Sequence, residues 1–112
     1  MSNLGNPYIP IHPGETLKDE LQYRGISQKK FAEVLDISYP FLNEILNCKR
    51  PITTSFAILV EASLGIKAYM LVNLQTDYDL QVARKDMKTE LRIRYEELVL
   101  HYSKWLSNRN QI

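Results

Sequence analysis

Residues 27–50 read SQKKFAEVLDISYPFLNEILNCKR, and the fold can be inferred from this stretch first. Ser27 can cap a helix over residues 28–35, and Ser38 can cap a second helix over residues 39–47, because a serine hydroxyl accepts hydrogen bonds from unpaired backbone N–H groups. Within each helix the apolar residues recur every three or four positions and therefore share one face. The residues predicted to lie on these faces are Phe31, Val34, Leu35, Leu42, Ile45 and Leu46.

The connection between the two helices is short, since only residues 36–38 join them. Ala32 is small where the two helices would cross closely, and Ile37 supplies an apolar residue inside the turn. Ile45 then faces back toward the first helix. A helix-turn-helix requires this combination to project its second helix outward. A generic helical hairpin within a bundle is the alternative.

Two turn positions carry residues other than glycine. Asp36 tolerates the left-handed backbone conformation, so the turn between the helices is predicted to form. Cys48 follows the second helix, and a cysteine at positive φ would cost about 1 kcal/mol. The loop after Asn47 is therefore predicted to follow a different path.

The segment before this pair predicts another helix. It begins at Pro13, which suits the first turn of a helix, and it ends at Gly25, the expected residue for a left-handed C-terminal cap. Leu17, Leu21 and Tyr23 are predicted to form its buried stripe.

The segment after the pair predicts a fourth helix. Its sequence FAILVEASL, residues 56–64, follows a cap at Thr53, Thr54 or Ser55 and ends at Gly65. Because this helix is nearly all apolar, it is expected to be the core of the domain.

Two further helical segments complete an all-α chain. A fifth helix is predicted from Ala68 to about Leu74, with a possible continuation to residue 83, and a long sixth segment runs from about Asp86 to Ser107. Apolar residues of the last segment step by three or four, a heptad-like pattern. Its stripe could fold back on the domain, form a dimer seam or anchor a partner. The stripe consists of Met87, Leu91, Tyr95, Leu98, Tyr102 and Trp105.

Length and composition indicate one ordinary globular domain with a C-terminal addition. The 112 residues are 45% hydrophobic and 24% charged. The net charge is +1, with −2 in residues 1–80 and +3 in residues 81–112. We find no apolar run long enough to span a membrane, no signal-peptide pattern and a single cysteine. A cytoplasmic protein without membrane contact is expected, and nucleic acid would be bound through local patches.

No set of residues predicts catalysis. His12 and His101 lie far apart in sequence, without metal-ligand spacing to each other or to Cys48. His12 is interpreted as a capping or surface group. Asp77 and Asp79 could be an acid/base pair, but caps or ion-pair partners are the preferred interpretation. The expectation is a non-enzymatic protein without metal or cofactor.

Four stretches resemble a known family. They are IHPGETLKDEL at 11–21, GISQKKFAEVLDIS at 25–38, LNEILNCKRPIT at 42–53 and VNLQTDYDLQVA at 72–83. The chain resembles the HigA/VapI-type antitoxins of the lambda-repressor-like (XRE) helix-turn-helix superfamily over roughly residues 11–84. The resemblance implies a five-helix domain whose dimer binds the operator of its own operon. It also implies binding and neutralisation of a HigB/RelE-like toxin, an mRNA-cleaving enzyme.

The resemblance also assigns DNA-contacting residues. The start of the helix at residue 28 would meet a phosphate, as helix N-termini suit anions. The start of the recognition helix at residue 39 would enter the major groove, where Tyr39-Pro40-Phe41 offers apolar surface for thymine methyl groups. Lys49 and Arg50 match a basic loop that grips the DNA backbone. The complete set is Ser27, Gln28, Lys29, Ser38, Tyr39, Pro40, Asn43, Glu44, Lys49 and Arg50.

The expected organisation has three parts. Residues 1–12 form an irregular arm, residues 13–80 the helix-turn-helix domain, and residues 81–112 a C-terminal helical extension for dimerisation or partner contact. A homodimer is expected because one domain of this size reads only a half-site. Two alternatives stay open: a solitary transcription regulator, and an interaction module that has lost specific DNA binding.

Overall fold

The computed structural model describes residues 10–109, so most of the predicted arm, residues 1–9, and the last three residues lie outside the described part. Within residues 10–109 the chain is all-helical, as predicted, and has no strand. None of these helices is long and apolar enough to cross a membrane. The helices are α1 (Pro13–Tyr23), α2 (Gln28–Leu35), α3 (Tyr39–Leu46), α4 (Thr54–Leu64), α5 (Ala68–Lys85) and α6 (Thr89–Arg109).

The chain divides into two compact units, one ending at Val82 and one beginning at Ala83. The first unit contains a single hydrophobic core, to which α1, α2, α3, α4 and the start of α5 contribute. Its buried apolar residues are Leu17, Leu21, Phe31, Ala32, Leu35, Leu42, Ile45, Leu46, Ile52, Phe56, Ala57, Val60 and Leu71.

Side-chain caps start three of these helices where the sequence predicts them. The hydroxyl groups of Ser27, Ser38 and Thr53 each accept a hydrogen bond from the backbone N–H three residues later, at 3.1–3.2 Å. Thr53 is thus the cap of α4 among the three candidates. Each bond satisfies a backbone N–H that the helix itself leaves unpaired.

The cap of α1 is a histidine. The Nδ1 atom of His12 accepts a hydrogen bond of 2.8 Å from the backbone N–H of Gly14. His12 is a capping group as interpreted from the sequence, but it is buried and does not lie on the surface. Gly14 is required here because a Cβ atom at this position would collide with the carbonyl oxygen of Ile45. The start of α1 therefore packs directly against the backbone of α3.

The turn between α2 and α3 forms as predicted. Asp36 adopts the left-handed conformation, with φ of 55° and ψ of 46°. Its N–H donates to the carbonyl of Glu33, and the N–H of Ile37 donates to the carbonyl of Ala32. This pair of bonds is a Schellman motif, which satisfies carbonyl groups at a helix end.

The predicted detour at Cys48 is wrong. Cys48 adopts the left-handed conformation, with φ of 65°. Its N–H donates to the carbonyl of Ile45 at 3.1 Å, and the N–H of Lys49 donates to the carbonyl of Glu44 at 2.8 Å. These bonds form a second Schellman motif, and they offset the cost of about 1 kcal/mol for a non-glycine residue at positive φ.

Two residues predicted to be buried are exposed. Tyr23 is 87% exposed, because it lies two positions after Leu21 and so points about 200° away from it around the helix. Val34 is 58% exposed, because it lies two positions after the buried Ala32 and so points about 200° away from it around α2. The nearly all-apolar α4 likewise buries only one face, while its Ile58 and Leu59 are substantially exposed.

The C-terminal helices differ in extent from the predicted ones. α5 takes the longer of its two predicted forms and continues to Lys85. α6 starts at Thr89, later than predicted, because residues 86–88 form a turn in which the guanidinium of Arg92 donates to the carbonyl groups of Arg84 and Met87. Met87 therefore precedes α6 and does not continue its stripe.

Candidate nucleic-acid interface

The first turn of α3 is an exposed surface. Ser38, Tyr39, Pro40 and Phe41 are all exposed, with 41% of Tyr39 and 36% of Phe41 accessible. The opposite face of α3 is anchored in the core, as its buried leucine and isoleucine residues show. The apolar residues Tyr39, Pro40 and Phe41 are therefore accessible at the start of α3.

One flank of this surface joins α3 to the start of α2. The Nδ2 group of Asn43 donates to Oε1 of Gln28 at 3.0 Å, and Oδ1 of Asn43 accepts from Nδ2 of Asn47 at 3.0 Å. The Lys29 ammonium lies 6.0 Å from the centre of the Tyr39 ring. The amide hydrogen bonds connect the start of α2 with α3 across this surface and orient the side chains of Gln28 and Asn43.

The other flank carries the basic loop. Nε of Arg50 donates to Oε1 of Glu44 at 3.2 Å, and the Arg50 guanidinium carbon lies 5.1 Å from the centre of the Phe41 ring. Lys49 is exposed beside it. An ion pair this exposed is worth less than about 1 kcal/mol, so it contributes orientation more than stability.

Lys18 belongs to the same surface although sequence reasoning missed it. Its ammonium donates to Oδ1 of Asn47 at 3.1 Å, where α3 ends. Lys18 lies on α1, far from the helix-turn-helix in sequence, so no local spacing could have revealed this contact. It adds a basic group at the C-terminal end of α3.

A polar cluster supports the loop that leaves the recognition helix. Oε1 of Gln75 accepts a hydrogen bond of 2.8 Å from the backbone N–H of Ile52, and its Nε2 donates to Oδ1 of Asp79 at 2.9 Å. The His12 ring meets the edge of the Tyr78 ring at 4.9 Å. Two of the quoted family stretches, IHPGE and NLQTDYDL, therefore come together in this unit. Sequence reasoning missed the role of Gln75, and its only signal was its place in that stretch.

This arrangement gives Asp79 a structural role. Its carboxylate accepts an amide hydrogen bond from Gln75, so it is neither a helix cap nor an ion-pair partner among the described residues. Within the described residues, no group of three or more His, Cys, Asp and Glu side chains is placed to hold a metal ion.

Burial is the main cause of the pKa shifts of His12 and Cys48, which lie beside this cluster. Burial lowers the pKa of His12, while the Asp79 carboxylate and a backbone hydrogen bond at Arg50 raise it by less. Nδ1 is the acceptor in the α1 cap, so the neutral ring carries its proton on Nε2. Burial raises the pKa of the Cys48 thiol, and the Glu15 carboxylate raises it further. The thiol is therefore not an activated nucleophile.

The predicted dimer or partner stripe lies on an exposed helix. No described residue of α6 is buried, and its five stripe residues are 47–60% exposed. The rings of Tyr102 and Trp105 stack at 5.8 Å, and the guanidinium of Arg109 lies 5.2 Å from the Trp105 ring. The stripe residues on the helix are Leu91, Tyr95, Leu98, Tyr102 and Trp105.

Comparisons with known proteins agree with the fold and the motif. No protein-family model matches the chain. Virulence-associated protein I of Dichelobacter nodosus is 38% identical over 85 residues, which cover 75% of this chain and 79% of that protein.

Two solved structures show the same architecture. An addiction module antidote protein of a HigA family from Coxiella burnetii aligns with a TM-score of 0.70 and 34% identity, over 80% of this chain and 96% of that chain. The Pseudomonas aeruginosa antitoxin HigA, solved with the higBA promoter, aligns with a TM-score of 0.70 and 35% identity, over 79% and 95% of the two chains. With identity above 30% to all three relatives over most of their length, this chain belongs to the HigA/VapI-type antitoxins of the lambda-repressor-like (XRE) helix-turn-helix superfamily.

Proposed function

We propose that this chain is a dimeric, DNA-binding autorepressor that also binds and neutralises a HigB/RelE-like mRNA-cleaving toxin. The observation that carries the DNA-binding role is the exposed first turn of α3, flanked by ordered amide and basic side chains. The Pseudomonas aeruginosa relative, solved with the higBA promoter, supports DNA binding as a function of this chain.

The proposed contacts follow from this geometry. Tyr39 and Pro40 face the major groove and meet thymine methyl groups, and the Gln28–Asn43 pair presents an oriented amide. Ser27 lies at the start of α2, where backbone N–H groups attract a phosphate. Lys29 and Lys49 add phosphate contacts that carry affinity without sequence information.

The proposed domain organisation extends this assignment. Residues 13–80 form a five-helix lambda-repressor-like domain, and residues 81–112 form a helical extension for dimerisation or partner contact. Five half-exposed apolar or aromatic residues on α6 support the second assignment, because buried Trp and Tyr dominate interface energetics. Dimerisation would let two recognition helices read the two halves of one operator.

DNA binding is tested with the duplex upstream of the gene for this chain, measured across a salt series. The expected result is specific binding whose affinity falls as salt rises. Replacing Asn43 with Ala should change sequence preference. The matched variant Lys49→Gln should weaken all sequences alike and reduce the salt slope by about 1. A salt slope without any sequence preference would contradict specific repression.

The antitoxin role is tested with the toxin-like protein encoded beside this gene. Addition of this chain should stop mRNA cleavage by that protein and form a complex that survives gel filtration. Continued cleavage at excess antitoxin would contradict neutralisation. A solitary regulator would instead have no such neighbouring gene.

A second candidate function is a protein-interaction module without specific DNA binding. Two features favour it: the net charge of −2 over residues 1–80 and the apolar surface of Tyr39-Pro40-Phe41. Formation of the toxin complex, together with no shift of promoter DNA, would select this candidate over the repressor.

A further inference from the structure

Arg50 lies in the loop after α3, yet its charged group lies on the recognition helix. Its Nε atom is 3.2 Å from Oε1 of Glu44, and its guanidinium carbon is 5.1 Å from the Phe41 ring centre. Both partners belong to α3. The side chain is therefore held over the helix and does not extend away from the loop.

Glu44 lies on the side of α3 that faces away from the core. It is two residues after the buried Leu42 and two before the buried Leu46, which places it about 200° around the helix from each. The ion pair consequently draws the Arg50 guanidinium toward the outward face of the recognition helix. When this face of α3 enters a major groove, a cation held on it is in reach of base edges.

The hydrogen-bonding pattern of the guanidinium suits a base. Nε of Arg50 donates to Oε1 of Glu44, and this is the one hydrogen bond that the Arg50 side chain makes among the described residues. Its two terminal amino groups can then donate in parallel. Such a pair matches O6 and N7 of guanine in the major groove, which is the commonest specific protein–DNA contact.

We propose that Arg50 is a specificity-determining residue that reads a guanine in the major groove, and that Glu44 and Phe41 position it. The proposal rests on the proposed DNA-binding function and assigns Arg50 a role different from that of a phosphate-gripping loop cation. Glu44 lowers the local positive charge, and this disfavours a phosphate partner for Arg50. The Phe41 ring attracts the guanidinium through a cation–π contact and so helps to hold it over α3.

The test uses the full chain and a fluorescent duplex from the region upstream of its gene. Each guanine in the bound segment is replaced in turn by 7-deazaguanine, which lacks the N7 acceptor. Replacement of one guanine per half-site should weaken wild-type binding about 5- to 10-fold, because it removes one of the two acceptors of a bidentate contact worth about 5- to 150-fold. The Arg50→Gln variant should bind more weakly and lose this sensitivity at the same guanine.

The positioning residues and the neighbouring cation supply the matched controls. Glu44→Gln and Phe41→Leu should each reduce the 7-deazaguanine effect about threefold, a size typical of weak surface contacts. Lys49→Gln should weaken binding to every probe and keep the 7-deazaguanine effect intact. Circular dichroism and thermal unfolding of each variant verify that the fold is retained.

The outcomes separate this inference from the proposed function. The inference is overturned if Arg50→Gln weakens all probes equally, reduces the salt slope by about 1 and leaves the 7-deazaguanine effect unchanged. That result would leave repression standing and make Arg50 a phosphate contact. Wild-type protein without any sequence preference would overturn both proposals.

Discussion

Helices α3 and α6 carry the same kind of apolar pattern and bury it to very different extents. In α3, Leu42 and Ile45 are fully buried, whereas in α6 Leu98 is 55% and Tyr102 is 60% exposed. Both patterns repeat every three or four residues. Spacing therefore specifies which side chains share a face, and burial depends on whether other elements of the fold cover that face.

The largest expected effect is the difference in stability between alanine substitutions at two leucines, one in α3 and one in α6. Leu42→Ala should lower the free energy of unfolding by about 3–5 kcal/mol, because it leaves a cavity in a closed core. Leu98→Ala should change it by less than about 0.5 kcal/mol at concentrations where the chain is monomeric, since half of this side chain already contacts water. Urea unfolding followed by circular dichroism measures both values.

The same pair of variants also tests the role of the α6 stripe. Leu98→Ala should weaken self-association or toxin binding, measured by sedimentation and by pull-down with the purified toxin. Equal and concentration-independent destabilisation by the two substitutions would show that α6 belongs to a closed core, contrary to its exposure.

A smaller effect is expected at His12, whose titration makes the free energy of unfolding of the N-terminal unit depend on pH. Burial lowers the pKa of His12 below its ordinary value of 6.5, so between the folded-state pKa and pH 6.5 the unfolded chain binds more protons than the folded chain. The free energy of unfolding therefore rises with pH in this window. The stabilisation that His12 contributes is complete above about pH 6.5 and is lost as the pH falls below that value, because protonated Nδ1 cannot accept the hydrogen bond that caps α1.

The measurement compares urea midpoints across roughly pH 5 to 8. His12→Asn keeps a capping oxygen without a titrating ring, so it should flatten the dependence on the acidic side. His12→Ala removes the cap and should cost about 1 kcal/mol at pH 7. His101→Asn, at the exposed histidine of α6, is the control and should retain the wild-type profile; a flattened profile there would exclude His12 as the source.

The smallest effect is expected at Cys48 and is a stabilisation. Cys48→Gly should raise the free energy of unfolding by about 0.5–1 kcal/mol, because glycine adopts a φ of 65° without a Cβ clash. Cys48→Ala is the matched control, since it removes the thiol and keeps the unfavourable conformation. An equal gain in both variants would trace the effect to the thiol rather than to the backbone.

Much of the N-terminal unit was predictable because its signals are local. Caps at Ser27 and Ser38 act on N–H groups three residues away, and a three-residue turn has few conformations. The prediction for Tyr23 is wrong because its spacing of two from Leu21 does not fit the buried stripe, whereas Val34 lies three residues after Phe31 and only the packed neighbours show that its side of α2 is uncovered. Cys48 was misjudged because its conformational cost is a local quantity and the two hydrogen bonds that offset it depend on the completed end of α3.

At the candidate site, too, local features are predictable from the sequence and contacts between distant residues are not. Helix type, helix order and the choice of α3 as the candidate DNA-reading helix follow from cap chemistry, apolar spacing and resemblance, all readable along the chain. The contacts that orient the surface join residues distant in sequence: Lys18 with Asn47, Gln28 with Asn43, and Gln75 with Ile52. Such contacts exist only once the helices are packed, and the exposure of the α6 stripe likewise depends on which elements the tertiary structure brings against it.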